Sequence, residues 1–149
     1  QLKKRLFMAI AALPDEAKLL RNFSRCQDWE QRYLYMMELG ERLPPLTDEQ
    51  RTAANFIEGC QSQVWIAVEL DEHKQLILAG DSDAGIVKGL VALVIILFQG
   101  KTVEQALATD VNHYFSTLAL ESHLTPSRTQ GLHAMVTRLM KRFSEYTVA

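Results

Sequence analysis

The side chain in this sequence best able to do chemistry unaided is cysteine, which occurs twice, as Cys26 and Cys60. A thiolate is a nucleophile in its own right and can accept and return a sulfur atom by exchange, with no metal, water or acid–base pair. Cys60 follows Gly59, a residue that tolerates positive φ and so permits a sharp turn. It precedes Gln61-Ser62-Gln63, which offer hydrogen bonds but no charge. A thiol at such a turn can swing between exposed and sheltered positions, whereas a cysteine that simply fills space in the interior is the competing reading. Cys26 follows Arg25 and lies near Trp29. Nothing there marks it as reactive, and it reads as a packed thiol.

Other chemistries find less support. The cysteines are separated by 33 residues and no CxxC pair exists. Zinc and iron–sulfur sites need about four ligands, so no metal site is expected, and a disulfide framework does not fit two cysteines in this length. Free thiols and a reducing compartment follow. His73, His113, His123 and His133 form no HxxxH or HExxH pair. A cysteine hydrolase would need a histidine beside Cys60 and an oxyanion hole. His73, the nearest in sequence, falls at the far end of the hairpin proposed below. A non-catalytic adaptor is the third reading.

Asp81 and Asp83 bracket Ser82 before a strongly apolar segment, where carboxylates would favour the positive end of a helix dipole. Arg128 falls in the first turn of the last expected helix, where that dipole disfavours a cation, so it is either a functional residue or a solvated one. Gln61, Asp81 and Arg128 are the candidates for partner binding or loop gating.

The elements that must position these residues can be read from caps and periodicity. A first helix is expected from Pro14 to about Arg25, with Leu19, Leu20 and Phe23 on one face. A second follows Asp28, with a capping box to Gln31, an apolar stripe of Trp29, Tyr33, Met36 and Met37, and a stop at Gly40. Val64 to Leu70 and Gln75 to Ala79 read as a hairpin around Asp71–Lys74. Asn55 to Glu58 adds a third antiparallel strand, which puts Gly59-Cys60-Gln61 in the turn between strands. Ala84 to Phe98 is apolar on nearly every side and should be a central buried helix. Thr102 and Gln105 make a capping box for a short helix, another spans Val111 to Leu120, and the last runs from Thr125-Pro126 to about Tyr146. The pattern is α+β: one small three-stranded antiparallel sheet covered by helices.

The 149 residues fit one domain, 1–149, and the net charge of −2 gives no basic surface for nucleic acid. The longest apolar run, Leu90 to Phe98, is far short of the roughly 20 residues that a membrane span requires. Lys3-Lys4-Arg5 before Leu6–Leu13 only faintly resembles a secretion signal, because Pro14-Asp15-Glu16 replaces a small-residue cleavage site. Residues 1–7 read as an extension ahead of Met8.

The sequence resembles the SufE family of sulfur acceptors. The residues that carry the likeness include Gly59-Cys60-Gln61-Ser62-Gln63-Val64-Trp65, Gly80-Asp81-Ser82-Asp83, Ile86-Val87-Lys88-Gly89-Leu90 and His123-Leu124-Thr125-Pro126-Ser127-Arg128. The paralogous CsdE branch shares the layout but differs after the cysteine. The resemblance implies a fold similar to the IscU scaffold. It also implies that Cys60 accepts persulfide sulfur from the cysteine desulfurase SufS and passes it to the cluster scaffold, SufB or the SufBCD complex, in the cytoplasm. On this reading the chain is not itself an enzyme: it activates a desulfurase that carries the pyridoxal phosphate, and it needs no cofactor of its own. A second copy of the chain is a further candidate partner. The family's cysteine loop can shelter in an apolar cavity, and Val64 is a candidate for its lining.

Overall fold

The computed structural model describes residues 13–148, excluding the side chain of Val148. The basic–apolar stretch at the N-terminus and the expected extension 1–7 lie outside the described residues. Six helices and a two-stranded sheet are present among those residues: α1 (Glu16–Arg25), α2 (Trp29–Glu41), β1 (Val64–Leu70), β2 (Leu76–Ser82), α3 (Gly85–Phe98), α4 (Val103–Leu107), α5 (Val111–Thr117) and α6 (Pro126–Val148). The architecture is α+β, as the alternation of apolar periods predicts.

The strand pair is antiparallel, in register from Val64↔Ser82 to Leu70↔Leu76. Its turn is held by Asp71, whose Oδ1 accepts from the N–H groups of His73 (2.8 Å) and Gln75 (2.9 Å). All of β2 is buried. Leu76 and Leu78 face the main core, while Ile77 and Ala79 pack with Leu46 and Trp65 on the opposite face. Leu46, at the end of the Leu43–Leu46 bend, therefore packs on the face of the sheet turned away from the main core. The third strand does not form. Phe56 makes a single bridge to Trp65, with Ile66 N–H on the Asn55 carbonyl (2.8 Å) and Ile57 N–H on the Val64 carbonyl (2.9 Å). Two such bonds align a segment without extending a ladder, because the chain turns away at Glu58–Gly59.

Helix α3 is the centre, with Val91 to Ile95 fully buried. It packs on β2, α2 and α6. Gly40 does not end α2, as the sequence suggests. The helix runs on to Glu41, and Gly40 is buried where α2 crosses α3. A Cβ on Gly40 would lie 2.7 Å from the Gly89 nitrogen, and one on Gly89 would lie 2.6 Å from the Met36 carbonyl oxygen. The two glycines thus allow backbone-to-backbone approach. Met36 and Leu39 form the buried face, whereas Met37, expected in the stripe, is exposed.

The caps largely follow the sequence, with shifts of a residue or two. Asp15, not Pro14, opens α1, accepting from Lys18 N–H at 2.8 Å. Asp28 caps α2 through Gln31 N–H, but the Gln31 side chain accepts from Gln27 and so leaves the box open. The Thr102–Gln105 box closes. Helix α3 has no side-chain cap: its N-cap is Ala84, and Asp81 and Ser82 belong to β2. Among the described residues no helix is long and apolar enough to cross a membrane.

The close helix crossing yields a test in which two effects oppose. Gly89→Ala gains about 1 kcal/mol of helix propensity, but the new methyl meets backbone that cannot rotate away. Overpacking of that kind costs about 1–3 kcal/mol. Denaturant unfolding should show net destabilisation, and a stabilised variant would contradict the crossing.

Candidate functional site

Cys60 stands in the segment that joins the Phe56–Trp65 bridge to β1. Gly59 has φ +93°, which only glycine adopts without strain, and this reverses the chain so that Cys60 points back toward α6. The Cys60 thiol is half-buried and lies 3.5 Å from the Gly131 carbonyl oxygen, to which it donates. A Cβ on Gly131 would stand 3.3 Å from Sγ, so the sulfur occupies the space left open by that glycine.

A cavity of about 290 Å³ adjoins the thiol. One wall is apolar and comes from α3 and its N-cap: Ala84, Val87 and Leu90. The other is built by α6 and the residue before it: Thr125, Ser127, Arg128, Gly131 and Met135. Gln61 and Ser62 line the loop side. The α6 residues recur at helical spacing, which places them on one face. The start of α6 is itself fixed by α2: the Trp29 and His123 rings stack 3.8 Å apart at 12°, and the Tyr33 hydroxyl donates to the His123 carbonyl.

Burial pushes the Cys60 thiol above its ordinary pKa. Burial thus favours the protonated thiol, the poorer nucleophile of the two forms. No histidine lines the cavity, so a cysteine–histidine pair of the hydrolase kind is not assembled. His73 sits in the hairpin turn at the opposite end of β1, as expected.

Of the sequence candidates, Gln61 and Arg128 meet Cys60 at the cavity and Asp81 does not. Both Gln61 and Arg128 are exposed. The Arg128 N–H donates to Thr125 Oγ1 at 3.4 Å, and its guanidinium forms no ion pair among the described residues. Asp81 is nearly buried at the end of β2. Its Oδ2 accepts from Arg51 Nη2 at 2.6 Å, and Lys88 Nζ lies 3.3 Å from Oδ1, which also accepts from Ser82 N–H. Burial alone would raise its pKa, but Arg51, the Ser82 N–H and Lys88 outweigh it, so the carboxyl sits below the usual range. The expected cap at the helix entrance is thus an ion knot between a loop, a strand and α3. Its neighbour Asp83 anchors the Cys60 loop, accepting from Gln63 N–H at 3.1 Å. Val64 is fully buried in the core and does not line the cavity.

Cys26 caps the C-terminus of α1, its thiol 3.5 Å from the Asn22 carbonyl. Among the described residues no group of three or more His, Cys, Asp and Glu side chains could hold a metal. Arg51, which also covers the Trp65 ring at 4.9 Å, was not legible as a partner of Asp81, since 30 residues separate them. Gly131 and Met135 were legible in principle, through their spacing from Ser127 and Arg128.

The family model described as "SufE: Fe-S metabolism associated domain" matches residues 17–143. Among solved structures, the solution structure of a hypothetical protein from Thermus thermophilus is similar over 92% of this chain and 98% of that one. Its TM-score is 0.73 at 21% sequence identity, which speaks to the fold.

The ion knot predicts a pH dependence. A carboxylate whose pKa is lowered by folding adds stability above its unfolded pKa of about 3.9, and that stability is lost as pH falls through the lower folded value. Asp81→Asn should cost about 1.5–3 kcal/mol at neutral pH, the scale of a charged hydrogen bond. The gap to the parent protein should close below about pH 4. A gap that persists unchanged at about pH 2–3, below the unfolded carboxylate pKa, would show that the carboxylate charge is not what holds the knot.

Proposed function

The chain belongs to the SufE family, associated with iron–sulfur metabolism, and on that premise we propose that Cys60 accepts sulfur from a cysteine desulfurase and carries it to a cluster scaffold. The supporting observation is the half-buried Cys60 thiol beside a cavity walled by α3 and α6, in a loop that turns at Gly59. The donor is a protein persulfide formed by a SufS-type desulfurase, with the pyridoxal phosphate on that partner. The receiver is a SufB or SufBCD-type scaffold, and the setting is the cytoplasm.

The step is a thiol exchange. The Cys60 proton leaves to solvent or a partner base, and the thiolate attacks the outer sulfur of the desulfurase persulfide. A new bond forms from Cys60 Sγ to that sulfur, the partner's S–S bond breaks, and the electron pair stays on the desulfurase thiolate. No external oxidant is needed. Because burial raises the thiol's pKa and half covers the sulfur, outward movement of the loop would speed the attack. The cavity, with its apolar α3 wall, then offers the loaded sulfur a refuge from cellular thiols. Arg128 and Gln61, exposed at the mouth, are placed to meet the partner, and Asp81 keeps the frame behind the loop. The chain is thus a sulfur-transfer partner and desulfurase activator, not a free-standing enzyme.

Incubation with a desulfurase and L-cysteine, followed by peptide mass mapping, tests this. The Cys60 peptide should gain about 32 Da per sulfur, the Cys26 peptide should gain none, and Cys60→Ser should abolish both loading and desulfurase stimulation. Sulfur on Cys26, or full stimulation by the serine variant, would overturn the assignment.

A further inference from the structure

The Cys60 loop is anchored at two ends by different means. Downstream, Gln63 and Asp83 exchange hydrogen bonds: Gln63 N–H to Asp83 Oδ1 at 3.1 Å, and Asp83 N–H to the Gln63 carbonyl at 3.4 Å. Upstream, the grip comes from α6. Arg138 Nη2 donates to the Ala54 carbonyl at 3.1 Å, and Arg142 Nη1 donates to the same carbonyl at 3.3 Å and to Asn55 Oδ1 at 3.0 Å. Two guanidinium groups, each more than 80 residues away in sequence, thus converge on one backbone turn. Neither has an acidic partner among the described residues. Arg138 leaves its buried Nε without a hydrogen bond, a cost accepted while Nη2 points at Ala54.

The same helix forms the wall of the shelter. Ala134, Arg138 and Arg142 follow each other at intervals of four, hence on one stripe of α6. A Cβ on Gly59 would touch the Ala134 methyl at 3.2 Å, and Gly131, one turn earlier, receives the thiol. The pivot, the arm leading into it and the pocket for the sulfur are thus registered on one rigid element.

We propose that Arg138 and Arg142 are positioning residues for Cys60. By pinning the Ala54–Asn55 turn, they hold the arm ahead of Gly59 and set how often the thiol leaves its shelter. Without them the arm can follow the loop outward, and opening costs less. The meaning of this clamp for sulfur transfer rests on the carrier role proposed above, but the opening itself is measurable in the isolated protein.

The experiment is timed alkylation of the full chain with iodoacetamide, without a desulfurase, reading Cys60 and Cys26 separately by peptide mass spectrometry. Arg142→Met should speed Cys60 roughly tenfold, the scale of one charged hydrogen bond, and Arg138→Met/Arg142→Met should speed it further. Cys26 should keep its rate, and Arg142→Lys, which retains a donor, should restore most of the protection. Unchanged Cys60 rates in the double variant would overturn the clamp. So would equal acceleration of both cysteines, which signals general loosening. If the double variant does not fold, Arg142→Met against Arg142→Lys decides by the same ratio. A protein that shows the clamp but takes no sulfur on Cys60 overturns the carrier role alone. One that takes sulfur while its Cys60/Cys26 ratio ignores both arginines overturns the clamp alone.

Discussion

From Leu90 to Phe98 helix α3 is apolar around its whole circumference, and burying it is the constraint from which the rest of the structure follows. Its residues from Leu90 to Phe98 are all buried, so sheet and helices must cover it on every side. Burial of a leucine or isoleucine side chain is worth about 1.5–3 kcal/mol, far more than any single surface contact. The hairpin covers one side, α2 crosses another at glycine-to-glycine distance, and α6 lies on a third. The polar turns are left to the ends, and at the N-terminal end of α3 the coverage is incomplete. That gap is the cavity beside Cys60.

The proposed carrier role makes opposing demands, which the site would meet with geometry instead of charge. An exposed thiolate is quickly oxidised, while a permanently buried thiol cannot reach a partner. Here burial pushes the Cys60 thiol's pKa up, with the Gly131 carbonyl as its hydrogen-bond partner. Glycine at the pivot lets the loop turn without strain, while the arms on each side are fixed by the Arg138–Arg142 grip and the Gln63–Asp83 pair. Between these ties lie only a few residues around the sulfur.

Much of this was legible in the sequence where the cause is local. The hairpin, the buried α3 and the Thr102–Gln105 box follow from periodicity and capping within a few residues. The turn at Gly59-Cys60 was legible because glycine and small polar residues interrupt two extended runs. What was not legible depends on contacts that span the chain. The third strand shrank to one bridge because the chain turns away at Glu58–Gly59, while the Asn55 side chain ties the segment to Gln50 and Arg142. Gly40 looked like a stop signal and is a crossing point, which only the position of Gly89 explains. Asp81 looked like a helix cap because it precedes an apolar run, whereas Arg51 and Lys88 make it a tie between elements. Arg128 was marked out by its clash with the helix dipole, and it does line the cavity with Cys60.

The central claim is that the shelter, not a charged partner, governs the reactivity of Cys60. It is tested most directly by the pH dependence of Cys60 alkylation in the isolated Cys26→Ser protein, beside an unfolded peptide of the same loop sequence. The account predicts an apparent pKa above the ordinary thiol value of about 8.5 and a slower rate than the peptide at every pH. A pKa at or below that of the peptide, with an equal or faster rate, would contradict it.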